Sequence, residues 1–459
     1  MHLILLIVLF LSCTSCAHYQ VNQPLRSMAQ NNAYTFTNFD RNDDSDKTFV
    51  ILTFSGGGTR AAAFSYGVLE EMKDTPLPGT DKTVLDEVDV ISTVSGGSFT
   101  GAYYGLFGNR IFEDFKSRFL YRDIQKEIAL KLLNPVTLFR LASPYFNRID
   151  LAGEIYDSTI FDSSTFKELT DKGRRPFIII NSTNLYQGAR FEFTGDQFDY
   201  IGSNILAYPI ARAVAASSAF PFLLSPISLV NYPDPADYQL SLKDQMAMKD
   251  YWNNRSRYTT ALNKVMYSDK EKHPYIHLMD GGLADNTGLR AIEDLFVRGG
   301  LREKINNGKI QRLIVIVVNA KNEPPQTFDR NEGAPGLSTV AVKTCTLSMD
   351  NYSFETVEAM KGLFSARISA QMEKEACQKL LDEHCQDGYK GPEFAGGNMK
   401  LYVVDLSFDN LTDDKEKSFL KHLPTTFHLQ KDEVDRLIMA GRRLLREDPV
   451  FGEFIREYN

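Results

Sequence analysis

Three short stretches of this chain carry residue types whose chemistry is complementary. Ser95 stands in Thr93-Val94-Ser95-Gly96-Gly97, where an apolar run gives way to a segment of small residues. Small neighbours permit the strained strand-to-helix turn of the G-x-S-x-G nucleophile elbow, which exposes a serine hydroxyl; Thr93 occupies the first glycine position. Gly56-Gly57-Gly58 ends a second apolar run. Consecutive glycines expose consecutive amides, which suits a negative charge forming at one point, as in acyl transfer. The spacing is neither G-x-x-x-x-G-K-[ST] nor G-x-G-x-x-G, and no lysine stands in the turn, so a nucleotide site is the weaker reading. Arg60, two residues on, could hold a substrate phosphate or complete a structural ion pair.

A serine nucleophile needs a base. Of the seven histidines, His2 and His18 precede the expected folded body. His273 and His277 lie around a short strand, and His384, His422 and His428 lie in polar C-terminal surroundings; none is flanked by a glycine turn. Asp280 is, in Asp280-Gly281-Gly282 at the end of an apolar run. A carboxylate at the C-terminal end of a strand lies where open α/β sheets keep their sites. The residues alone leave two bases open, Asp280 or a late histidine in a serine–acid–histidine order.

Those turns need elements to hold them. Residues 47–108 read twice as β-branched run, glycine turn and helix-compatible segment, the grammar of a parallel sheet in an α/β fold. Strands are expected at 49–54, 88–94, 177–181, 190–193, 275–279, 313–318 and 401–408, with 313–318 central because it is apolar throughout. Helices are expected at about 59–72 and 97–107, and an amphipathic one carries Val434, Leu437, Ile438, Leu444 and Leu445. Residues 110–170 and 228–273 read as helical insertions. Within the first, apolar patches at Ile128, Leu132 and Leu133, then at Val136, Phe139 and Leu141, either face the core or meet lipid.

Together these blocks resemble the patatin-like phospholipases. Ser55-Gly56-Gly57-Gly58-Thr59-Arg60 is similar to the glycine-rich oxyanion motif, Val94-Ser95-Gly96-Gly97-Ser98 to the nucleophile motif, and Asp280-Gly281-Gly282 to the D-G-[GA] motif; Ala215–Pro221 matches a further block. They occur in family order between about residues 47 and 289, and Pro424-Thr425-Thr426-Phe427-His428-Leu429 is similar to bacterial lipoprotein members. Thr93 and Ala61 replace family glycines. The resemblance implies a three-layer α/β/α fold with a mostly parallel sheet and helical insertions. It also implies a lipid acyl hydrolase with a Ser95–Asp280 dyad, an oxyanion hole at Gly56, Gly57 and Gly58, a substrate contact at Arg60, and no metal or organic cofactor. The expected partners are a phospholipid or other acyl-ester lipid and a membrane surface. The rival readings are an α/β-hydrolase esterase with a Ser–His–Asp triad and a non-catalytic surface lipoprotein.

Bulk properties agree with one large domain at 47–459, which the resemblance makes an acyl hydrolase, with C-terminal strands and helices at 290–459. The 459 residues are 43% apolar and 24% charged, without repeats or Gly/Ser linkers. A net charge of −8 with no Lys/Arg block disfavours nucleic acid. Cys345, Cys377 and Cys385 show no metal-ligand spacing. Residues 17–46 are polar and unpatterned, a tether. Residues 1–16 read as an export signal: the apolar stretch 3–11 is too short to span a bilayer and precedes Ser12-Cys13-Thr14-Ser15-Cys16, which resembles a bacterial lipobox. The expected location is therefore the cell envelope, as an outer-membrane lipoprotein. The mature protein should begin at an acylated Cys16; an unmodified N-terminus, or acylation at Cys13, found by peptide mass analysis would refute this.

Overall fold

Apolar runs with no solvent-facing side form the middle of one eight-stranded sheet. The structure is a computed structural model that describes residues 22–39, 47–171, 175–221, 223–298, 300–323, 330, 332–384 and 399–458. Its strands are β1 Thr48–Phe54, β2 Val88–Val94, β3 Phe177–Asn184, β4 Ala189–Glu192, β5 Ile227–Val230, β6 Tyr275–Asp280, β7 Arg312–Asn319 and β8 Lys400–Ser407. The order is β5-β6-β3-β2-β1-β7-β8, with β4 also paired to β3. The five strands from β3 to β8 run parallel, while β4 and β6 run antiparallel to β3 and β5 runs antiparallel to β6. Every residue of β1, β2 and β3 is buried, whereas edge strand β8 alternates between buried and partly exposed positions.

Helices flank the sheet. The glycine turns after β1 and β2 open directly into α1, Gly58–Asp74, and α2, Gly96–Phe107. Further on come α3, Ile210–Ser217, α4, Leu337–His384, and α5, Lys431–Glu447. Helix α5 buries Val434, Leu437, Ile438, Leu444 and Leu445, the stripe that its spacing predicts. The 48-residue α4 goes beyond the sequence reading, because its apolar residues keep no single face: Leu337, Phe354 and Met372 are exposed. Cys345 and Cys377 both lie on it, about 48 Å apart along the axis at 1.5 Å per residue, so they cannot bridge.

Two expected boundaries move. Residues 22–39 are no tether: the Asn22 amide donates to Ser203 Oγ at 3.0 Å, and the buried Tyr34 packs on Phe166 and donates from its hydroxyl to the Ile178 carbonyl at 2.7 Å. The insertion expected at 228–273 starts later, because residues 228–230 belong to β5; a four-residue strand whose partner lies beyond the insertion leaves too short a pattern to read. The segment 110–146 divides. Ile111, Phe115, Phe119, Leu120 and Ile124 are core, while Leu130, Leu133, Val136, Leu138 and Phe139, on and beside helices Ile124–Leu132 and Pro135–Leu141, are exposed. Residues 1–21 and Cys385 lie outside the described residues. Among the described residues no helix is long and apolar enough to cross a membrane.

Helices α1 and α5 meet through glycines. A methyl group on Gly67 would lie 2.1 Å from the Ile438 carbonyl oxygen, and one on Gly441 would lie 2.4 Å from that of Phe64. Replacing a helix-interior glycine by alanine ordinarily gains up to about 1 kcal/mol. Here the overlap is with backbone, and overpacking costs about 1–3 kcal/mol. Gly67→Ala should therefore lower the melting temperature, whereas Gly362→Ala on α4, with open space around it, should raise it slightly. Equal shifts in thermal melts would show that the α1–α5 contact is not this close.

Candidate active site

The site is assembled by one step of register on β3. Val94, at the end of β2, pairs with Asn181, and Asp280, at the end of β6, pairs with the next residue, Ser182. Ser95 and Asp280 thus leave the strands on either side of β3 at adjacent levels. Asp280 reaches the C-terminal edge of the parallel strands as the sequence predicts, but on an antiparallel strand that enters from that edge. Ser95 has φ 48° and ψ −119°, a strained conformation for a residue with a side chain, and its Oγ donates to Asp280 Oδ2 at 2.9 Å. The other carboxylate oxygen, Oδ1, accepts the Gly282 amide at 2.8 Å.

Burial decides the electrostatics of this pair. Asp280 is 2% exposed and Ser95 5%. Desolvation raises the Asp280 pKa to about 6, against the two hydrogen bonds, from Gly282 and Ser95, that pull it down. The carboxylate remains charged at neutral pH and is a stronger base than a solvated aspartate.

A serine that sequence reasoning left without a role holds both turns. Ser217, at the end of α3, accepts the Ser95 amide at 2.9 Å on its Oγ and donates from it to the Asn181 carbonyl at 2.5 Å. Its own carbonyl accepts the Gly281 amide at 3.0 Å, and that of Ala219 accepts the Asp280 amide at 3.1 Å. The block Ala215–Pro221 had singled out this stretch, but only contacts across the sheet assign Ser217 its part. Thr93, the departure from the elbow pattern, adds a brace: its Oγ1 donates to the Ile179 carbonyl at 3.1 Å and accepts from Ser98 Oγ at 3.0 Å.

The glycine turn lies on the other side of Ser95, because β1 is the next strand after β2. Gly57 caps α1 and Gly58 is its first residue, so neither amide has an acceptor within the helix. Gly58 has φ +61°, and a methyl group there would lie 2.2 Å from the Thr426 carbonyl oxygen; one on Gly96 would lie 2.0 Å from that of Gly58. The two turns can touch only as glycines. Gly56 departs from the expected oxyanion hole: its amide already donates to the Asn286 carbonyl at 3.0 Å, which leaves Gly57 and Gly58.

Arg60 departs further. It is 2% exposed and hydrogen-bonds the carbonyls of Ala320 at 2.9 Å and Leu423 at 2.7 Å, and Thr425 Oγ1 at 3.1 Å. Rather than facing a substrate, it ties the start of α1 to segment 423–426, whose Thr426 carbonyl also accepts the Thr59 amide at 2.8 Å. No histidine among the described residues hydrogen-bonds to Ser95; His277 pairs with Ser228 at 2.8 Å, and His422 contacts Ser418. Nor do the described residues contain a cluster of three metal-ligating side chains. A serine hydroxyl on a carboxylate, beside two helix N-terminal amides with no acceptor in the helix, is an arrangement suited to acyl transfer.

Residues 52–292 match the family described as Patatin-like phospholipase. No protein of curated function matches the chain in sequence. Among solved structures it is similar to human GIVD cytosolic phospholipase A2, with 12% identity and a TM-score of 0.48 over 94% of this chain and 66% of that one. The same human protein in complex with methyl gamma-linolenyl fluorophosphonate gives 12% identity and a TM-score of 0.43 over 94% and 62%. VipD from Legionella pneumophila gives 12% and 0.26 over 86% and 67%. The chain thus spans slightly less than two thirds of the human protein's length.

The raised carboxylate sets a pH dependence. A carboxylate accepts a proton only when ionised, so if Asp280 is the base for Ser95, reaction of Ser95 with a fluorophosphonate should accelerate as pH rises through about 6. A labelling rate that stays flat down to about pH 4, the ordinary aspartate range, would contradict this.

Proposed function

The chain belongs to the patatin-like phospholipase family, and from that premise we propose that it is a lipid acyl hydrolase working through a Ser95–Asp280 dyad. The observation that carries this reading is the 2.9 Å hydrogen bond from Ser95 Oγ to a buried carboxylate. Ser95 Oγ attacks the ester carbonyl while Asp280 Oδ2 takes its proton. The amides of Gly57 and Gly58, with the positive end of α1 behind them, receive the charge on the carbonyl oxygen. As the tetrahedral intermediate collapses, the ester C–O bond breaks and Asp280 returns the proton to the leaving alcohol. Water then hydrolyses the acyl-serine with Asp280 again as base. Neither half-reaction calls on a metal or an organic cofactor.

The substrate class we propose is a phospholipid or related acyl ester met at a membrane surface. Exposed Leu130, Leu133, Val136, Leu138 and Phe139, interspersed with Lys126, Lys131 and Arg140, have the composition of an interfacial segment; Leu133 is 75% exposed and Phe139 42%. An acylated Cys16 would hold the protein at that surface in the cell envelope.

Two experiments test these readings. Ser95→Ala and Asp280→Asn should each lower kcat by orders of magnitude, with the double variant scarcely worse, because the pair acts as one unit. Single replacements of His273, His277, His384, His422 and His428 should leave most activity. One folded histidine variant as inactive as Ser95→Ala would replace the dyad by a triad, and unlabelled Ser95 in the intact protein would favour a non-catalytic lipoprotein. Separately, Leu138→Asp with Phe139→Asp should reduce hydrolysis of phospholipid vesicles several-fold more than hydrolysis of a soluble short-chain ester. Equal losses on both substrates would rule out an interfacial role; lipid product analysis by mass spectrometry identifies the bond that is cleaved.

A further inference from the structure

Asn286 sits between the glycine turn and the base's turn, with a side-chain oxygen that has no hydrogen-bond partner among the described residues. It is 8% exposed, and its Oδ1 is buried without a hydrogen-bond partner among the described residues. The same residue's backbone carbonyl accepts the Gly56 amide, so the main chain is anchored at the glycine turn. A methyl group on Gly56 would lie 2.5 Å from Asn286 Oδ1 and 3.3 Å from Ser95 Cβ. One on Gly282 would lie 2.8 Å from the same Oδ1 and 3.1 Å from Asp280 Oδ1. A single acceptor oxygen therefore borders both the glycine turn, which lies against Ser95, and the turn that carries Asp280. Leaving a buried acceptor unsatisfied costs about 1–3 kcal/mol, and at this place, bordering Gly56 and Gly282, a partner can arrive with the reaction.

We propose that Asn286 Oδ1 holds the water that cleaves the acyl-enzyme, a role that rests on the Ser95–Asp280 reading above. A water molecule has two hydrogens to place. One goes to Asp280, which removes it as the water oxygen bonds to the acyl carbon; the other is held by Asn286 Oδ1. The tetrahedral intermediate then collapses, the acyl-carbon-to-Ser95 Oγ bond breaks, and the proton on Asp280 passes to Ser95 Oγ, releasing the acid. Oδ1 orients an oxygen lone pair toward the acyl carbon without taking part in proton transfer. The acceptor is buried, and beside it Met349 of α4 packs onto Gly282, its Cε 2.3 Å from where a methyl group there would be. A methionine with three rotatable bonds can withdraw as the ester enters.

Methanol separates this role from a structural one, because it has one hydroxyl hydrogen, which Asp280 takes, and none for Asn286. Acyl-enzyme formed from a 4-nitrophenyl ester partitions between water and added methanol, and the ratio of methyl ester to acid is independent of how fast it forms. Asn286→Ala and the similar-sized Asn286→Leu remove the acceptor and should raise that ratio about tenfold, the rate factor that one ordinary hydrogen bond sustains. Asn286→Asp keeps an acceptor oxygen and should stay near the wild-type ratio even if its overall rate falls. An unchanged ratio in the Ala or Leu variant would overturn the proposal, as would an Asp variant that behaves like them. Were Nδ2 rather than Oδ1 turned inward to serve the oxyanion, hydrolysis and methanolysis would fall together and the ratio would stay put. Failure of the parent reading looks different: the wild-type protein would form no acyl-enzyme and release no nitrophenol.

Discussion

The hydrogen bond from Ser95 to Asp280 joins residues 185 positions apart, and it exists only because β3 lies between their strands. Its residues 181 and 182 pair with the last residues of β2 and β6, so a slip of one position on either side would turn Ser95 or Asp280 toward the opposite face. The burial of β1, β2 and β3 along their full lengths removes that freedom. The sheet is therefore the gauge that sets the distance between Ser95 and Asp280, and the helices are what keep the sheet covered.

That arrangement is held against its own cost. Raising a carboxylate from the ordinary aspartate range to about 6 corresponds to roughly 3 kcal/mol against the charged form. The conformation of Ser95, with φ at 48°, adds on the order of 1–3 kcal/mol. Against a typical total stability of 5–15 kcal/mol these are large terms, and the surrounding network explains how they are borne. Ser217 fixes the Ser95 amide and the Gly281 amide at once, while Thr93 and Ser98 tie the elbow to β3. None of these groups faces bulk water, so each bond is made in a medium where breaking it leaves an unsatisfied partner.

The glycine turn is held by parts of the chain far outside the matched family region. Arg60 is buried on the carbonyls of Ala320 and Leu423, and Thr426 receives the Thr59 amide against a glycine that tolerates no side chain. An arginine beside an oxyanion turn looks like a substrate contact when read along the chain; its three fixed carbonyl and hydroxyl acceptors make it a rivet instead. The consequence is that the C-terminal 423–426 segment is part of the site's construction, although it contributes no reacting atom.

The strands and the three chemical turns were legible in the sequence because their information is local. Continuous β-branched runs mark buried parallel strands, consecutive glycines mark amides with no side chain over them, and Ser95 with its small neighbours marks a turn that exposes a hydroxyl. Residue types alone left the base open between Asp280 and a late histidine, and they left Arg60 open between substrate and structure. Those choices depend on pair distances between residues 185 to 363 positions apart, which no local pattern encodes. Tertiary structure alone brought the Asp280 carboxylate, and no histidine among the described residues, to Ser95, and spent the Gly56 amide on Asn286. It also docked residues 22–39 through Tyr34 and drew residues 228–230 into the sheet as β5. A hydrogen bond is made over about 3 Å, and only the packed sheet determines which groups come that close.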